Sequence, residues 1–154
     1  MKKQLHQVNP LVVVADAARA QFFTVGPESK LLVERSTLVN SAGRLRDQDL
    51  TSDGGGRSFD RRAGGRHAIE PSTGAKDSAV QAFAEEVAKQ LPDELSRLGA
   101  RNLVLVAAPR FLGLLRKVLP ADAKKALYYE IDAEFTTHGA DEITEAINKR
   151  LREE

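Results

Sequence analysis

Cysteine and tryptophan are absent from the 154 residues, and methionine occurs once. Without cysteine there is no disulfide, no thiol nucleophile and no thiolate metal ligand, so stability must come from a packed core. The same absence fits a reducing, cytosolic setting. Charge of one sign is also missing. With 23 basic and 22 acidic residues the net charge is +1, and no global field draws the chain onto nucleic acid or an acidic membrane. An electrostatic partner has to be met by a local patch. No stretch approaches the ~20 apolar residues of a membrane span. Lys2 and Lys3 ahead of LVVVA (11–15) resemble the start of an export signal. The apolar run ends at Asp16, however, short of the roughly 7–15 residues such a signal needs. A buried strand in a cytoplasmic protein is the expectation. Cofactor signatures are lacking too: there is no GxxxxGK phosphate loop, no GxGxxG after a strand and no GxSxG nucleophile elbow. No cofactor is expected.

What is present fits one domain of ordinary globular composition, 42% hydrophobic and 29% charged. Residues 10–15 (PLVVVA), 20–25 (AQFFTV) and 30–39 (KLLVERSTLV) read as three closely spaced strands of an antiparallel meander. Val80, Phe83, Ala84, Val87 and Leu91 recur at three- and four-residue spacing and predict an amphipathic helix. Pro92 is expected to stop or kink it and to begin a new helical turn, with Gly99 as the C-terminal cap. Residues 102–108 (NLVLVAA) form an unbroken apolar run, as expected of a strand covered on both faces. A short helix at 111–119 closed by Pro120, a strand at 126–135 and a C-terminal helix carrying Ile143, Ile147 and Leu151 complete the order. The fold class is α/β. It has a mixed sheet, antiparallel at first and joined by helical crossovers later.

Between the third strand and the first long helix lies GRLRDQDLTSDGGGRSFDRRAGGRHAIEPSTG, residues 43–74. It holds more than half of the eleven glycines, six arginines and no lysine. Too glycine-rich for a packed element and too charged for burial, it reads as a long exposed loop, a kind that is usually functional or disordered. Arg44, Arg46, Arg57, Arg61, Arg62 and Arg66 are interleaved with Asp47, Asp49, Asp53 and Asp60. The guanidinium fork engages phosphate in two hydrogen bonds at once. Glycine lets backbone approach a ligand closely. Arginine with glycine on a loop therefore fits an RNA-phosphate or ribose surface. The alternative is a solvated loop whose arginines pair with its own aspartates.

The loop aspartates do not complete a calcium-binding pattern, and no metal site is expected. His67, with Glu70 nearby, and Arg66 are weak catalytic candidates without an assembled nucleophile set. His6 and His138 stand alone and are expected at the surface. A second candidate is AAPRFLGLLR (107–116), where a strand ends in Pro-Arg at a helix start. Open α/β sheets bind ligands at such positions, and Arg110 would add charge there. Against it stands a plain strand-to-helix turn with a structural arginine.

VVVADAARAQFF, LVERSTLVNSAGRLRDQDLTSD, GGGRSFDRRAGGRHAIEP and LVLVAAPRFLGLLR, in that order, resemble the bacterial family of proteins required for attachment to host cells. The resemblance covers essentially the whole chain. It implies a role in attachment but no mechanism. A more distant likeness is to the middle domain of archaeal and eukaryotic release factors and Pelota, with opening strands, an aromatic pair, a glycine-rich loop and a long helix. There the loop carries Gly-Gly-Gln and promotes peptidyl-tRNA hydrolysis at the ribosome. The matching positions here are Gly64, Gly65 and Arg66, followed by His67. Arginine in place of glutamine does not imply the same positioning of water. The likeness thus implies binding of the ribosome or tRNA rather than release activity. Its contacts would be Arg44, Arg46, Arg57, Arg61, Arg62, Gly64, Gly65, Arg66, His67 and Arg110. A non-enzymatic adaptor that engages a protein partner is the competing expectation, and an ester hydrolase using His67 or Arg66 the lesser one.

Overall fold

The computed structural model describes residues 3–41 and 61–153, with 61–76 as backbone only. In chain order the described elements begin with α1 (Leu5–Val8), β1 (Leu11–Ala15), β2 (Arg19–Val25) and β3 (Leu32–Val39). The long helix α2 (Arg61–Arg97) follows, then β4 (Leu103–Ala107), α3 (Pro109–Val118), α4 (Ala121–Ala126), β5 (Leu127–Asp132) and α5 (Ala140–Glu153). The five strands form one sheet in the order β3-β2-β1-β4-β5. The β1–β2 and β2–β3 pairs are antiparallel, and β1–β4 and β4–β5 are parallel. The mixed sheet read from the sequence is therefore present.

Strand alternation divides the core into two layers. Leu11, Val13, Leu103 and Leu105 face one side, where Phe83, Val87 and Leu91 of α2 pack with Phe111, Leu112 and Leu115 of α3. Phe83 and Phe111 meet with ring centroids 6.0 Å apart. Val12, Val14, Val104 and Val106 face the other side, covered by Ile143, Ile147 and Leu151 of α5. Burial on both faces is why β1 and β4 carry no polar residue at all. The LVVVA run near the N-terminus is thus the strand β1.

One edge of the sheet is β3, largely exposed. Its register against β2 shifts between Phe22 and Phe23, leaving Arg35 unpaired across the strands. This bulge, together with the charges of Glu34 and Arg35, blunts an edge that would otherwise template further pairing. At the other end of the strand, Leu32 N donates to Thr144 Oγ1 at 2.9 Å, and that hydroxyl donates to the Ala140 carbonyl at 2.6 Å. A side chain of α5 thereby caps the first edge amide.

The sequence predicts a loop through residue 74, whereas helix α2 begins at Arg61. Gly64, Gly65, Pro71 and Gly74 are poor residues for a helix interior, so propensity gives no signal of this start. Pro92 is expected to end or kink the helix, yet α2 continues through it to Arg97. Ala88, Leu91 and Leu95 are buried on either side of the proline, and their packing offsets its missing N–H. Gly99 closes the helix as expected, at φ +67°. Gly99 N donates to the Ser96 carbonyl (3.2 Å) and Ala100 N to the Leu95 carbonyl (2.9 Å), the pair of bonds that defines a Schellman cap. Pro120 ends α3 but also stands before the short helix α4, which has no periodicity long enough to be read.

Candidate functional site

The carboxyl ends of the parallel strands β1 and β4 meet at a cavity of about 600 Å3. Its wall is made by Asp16 after β1, Arg110 and Phe111 at the start of α3, Asp77 and Val80 on α2, and Glu134 after β5. Here the chain leaves β1 toward β2 and leaves β4 toward β5 on the opposite side. Open α/β sheets bind ligands in crevices of this type.

Asp16 builds the floor. Its Oδ1 accepts from the amides of Ala18 (2.8 Å) and Arg19 (2.9 Å), folding the three-residue connection between β1 and β2 into an Asx turn. Its Oδ2 accepts from Thr136 Oγ1 at 2.7 Å. Arg19 Nη2 donates to the Thr136 carbonyl. Asn40, buried just beyond β3, donates through Nδ2 to the Ala17 carbonyl (2.9 Å) and through its amide to the Ala18 carbonyl (2.8 Å). The hairpin is thereby tied to two distant segments of chain. With both oxygens engaged, Asp16 serves as a scaffold rather than as a free base. In the sequence Asp16 stands within VVVADAARAQFF with no catalytic or binding motif to mark it. The aspartate followed by two small residues between two strands is the signal that could have found it.

Arg110 is where the sequence put it, at the strand-to-helix turn. Its Nη2 lies 3.0 Å from Asp77 Oδ1, with the two side chains 81% and 54% exposed. Such a pair holds little stability, about 0–1 kcal/mol. Helix α3 opens with Pro109, its N-cap Ala108 offers no capping side chain, and its first turn has no acidic residue. The first-turn amides near Arg110 are therefore uncapped by side chains. Against this positive end stand Asp16, Asp77 and Glu134. Among the described residues, three carboxylates to one guanidinium leave the cavity wall acidic, alongside apolar Val80 and Phe111. The wall suits a cationic or hydrogen-bond-donating group better than a phosphate.

Farther along α3, Arg116 Nε donates to Glu130 Oε1 of β5 at 2.6 Å. That bond, with the charges of Glu130 and Asp132, raises the Arg116 pKa above its ordinary value. His6 and His138 are both exposed, as expected, and His138 meets Phe135 edge-on. Among the described residues no group of three or more His, Asp or Glu side chains could hold a metal ion. Among them, too, no helix is long and apolar enough to cross a membrane.

Arg44, Arg46 and Arg57 lie outside the described residues, as do Asp47, Asp49, Asp53 and Asp60. Arg61, Arg62, Gly64, Gly65, Arg66 and His67 fall in the first two turns of α2, with their side chains outside the description. Of the sequence candidates, then, only Arg110 has a described side-chain environment. It stands on the same wall as Asp77, in the helix that begins with the arginine segment.

No curated protein matches the chain. Residues 11–147, from the first residue of β1 into α5, match the family described as protein required for attachment to host cells, and the chain belongs to that family.

Proposed function

We propose that this member of the attachment family is a cytosolic RNA-binding module, of the release-factor-middle-domain type, that engages the ribosome or tRNA through its arginine–glycine segment. The observation that carries the reading is the continuity of that segment with the helix that covers the sheet. Arg61, Arg62, Gly64, Gly65, Arg66 and His67 open α2, and the same helix buries Phe83, Val87 and Leu91 in the core. A basic stretch joined without a linker to a packed helix loses less entropy on binding than a tethered tail. Arg110, exposed at the cavity margin beside Asp77, is the further candidate contact. The carboxylates of the cavity wall take no part in phosphate contact.

The test is tRNA binding followed by fluorescence polarisation between about 50 and about 200 mM salt. Three phosphate contacts from Arg61, Arg62 and Arg66 give a slope of log affinity against log salt of roughly −2 to −3. An affinity indifferent to salt, or no binding, sinks the reading.

The cavity favours a second reading, a non-enzymatic adaptor. Carboxylates of Asp16, Asp77 and Glu134 around Val80 and Phe111 suit a basic or long apolar side chain from a protein partner. In that case Asp77→Ala and Glu134→Ala weaken partner capture, and added tRNA does not compete.

A further inference from the structure

At the amino ends of β1 and β4, opposite the acidic cavity, lies a second cavity of about 460 Å3 between α1, the β2–β3 hairpin and the end of α2. Its polar lining is His6, Asn9, Thr24, Lys30 and Arg35, with no carboxylate among the described lining residues. Among the described residues none of the three basic side chains is engaged in an ion pair. Arg35 Nε donates to Thr24 Oγ1 at 2.7 Å, which steadies the guanidinium and leaves the hydroxyl proton available to a further acceptor.

The backbone marks the same place. Asn9 (φ 53°) and Lys30 (φ 63°) are the non-glycine residues with left-handed backbone among those described, and both line this cavity. Asparagine tolerates that region, and Asn9 is the C-cap of α1. Lysine does not favour it. Lys30 closes the hairpin turn, its amide donating to the Gly26 carbonyl at 3.1 Å while Gly26 N donates to the Leu31 carbonyl at 2.7 Å. Glycine would meet the turn's needs without strain. A lysine held there against its backbone preference, on the same cavity as an arginine with no ion pair among the described residues, points to a use for its charge.

We infer that this cavity binds a small phosphate-bearing molecule. A lysine ammonium, a guanidinium, an imidazole and a threonine hydroxyl line it as donors, with a formal charge of two from Lys30 and Arg35. That set matches a tetrahedral dianion whose oxygens each accept more than one hydrogen bond. The volume falls in the range of small-ligand sites, roughly 300–1,000 Å3. The inference is independent of the arginine–glycine segment, which enters the fold at the other end of α2.

Inorganic phosphate titrated into the full chain and followed by amide resonances, with chloride at matched ionic strength as control, tests it. Saturable shifts at Asn9, Gly26 and Lys30 with phosphate but not chloride are expected. Lys30→Gly keeps the turn, so its melting temperature stays equal or rises, while phosphate affinity falls about tenfold, the loss of one charge-assisted hydrogen bond. Arg35→Gln weakens binding to a similar degree. Shifts that chloride reproduces, or an affinity unchanged in both variants, overturn the inference. Displacement of the same resonances by tRNA also overturns it and reassigns the cavity to nucleic-acid backbone.

Discussion

Thr136 Oγ1 donates to Asp16 Oδ2 at 2.7 Å across 120 positions of sequence, and this bond ties the β1–β2 hairpin to the chain leaving β5. Asp16 also holds the amides of Ala18 and Arg19. Asp16→Ala removes all three bonds and is expected to lower unfolding free energy by about 2–4 kcal/mol, as for loss of a charged acceptor with several donors. Asp16→Asn keeps a carbonyl acceptor for the two amides and is expected to cost less. Urea unfolding of both variants reads the difference. Equal stability of Asp16→Ala and the parent would deny Asp16 its scaffold role.

Thr144 is the comparable link on the other face. Its hydroxyl accepts from the buried Leu32 amide, so Thr144→Val strands that N–H at a cost of about 1–3 kcal/mol, where Thr144→Ser retains the bond. Faster hydrogen exchange at Leu32 in the valine variant alone is the expected local signature.

Gly99 caps α2 in the left-handed region, and a Cβ there meets nothing within 4 Å. Gly99→Ala is therefore strained by backbone alone and is expected to destabilise by about 1 kcal/mol. Thermal unfolding checks it. A loss well above that range would point to a packing role instead.

Much of this fold was legible because burial on both faces left an unmistakable pattern. LVVVA and LVLVA are apolar throughout, and they are the central parallel pair. The stripe from Val80 to Leu91 named the buried face of α2. What escaped reading depended on contacts distant in sequence. Nothing local shows that Pro92 sits within a helix, because the buried Ala88, Leu91 and Leu95 decide it. Nor does any motif foretell that Asp77 faces Arg110, so the carboxylates gathered around Arg110 leave no trace in the sequence pattern. Short elements such as α1, held to α5 by Leu5 N donating to Asn148 Oδ1 at 2.9 Å, carry too few residues for periodicity to register.

Arg110 separates binding from folding. Its pair with Asp77 is exposed on both sides, so Arg110→Ala is expected to change stability by no more than about 0.5 kcal/mol. If Arg110 contacts RNA, the same variant weakens tRNA affinity and lowers the salt slope by roughly one contact's worth. Unchanged affinity at unchanged stability would confine nucleic-acid contact to the arginine–glycine segment.

The most direct measurement of the central claim is co-sedimentation with ribosomes at low and high salt, for the parent chain and for a variant carrying Arg61→Ala, Arg62→Ala and Arg66→Ala. Alanine is the strongest helix former, so the start of α2 does not lose intrinsic helix preference in the variant, and circular dichroism verifies the fold. Comigration at low salt that is lost both at high salt and in the variant is the predicted result. Absence of comigration by the folded parent chain, or comigration by the variant equal to the parent's, would contradict the account and turn attention to a protein partner at the acidic cavity.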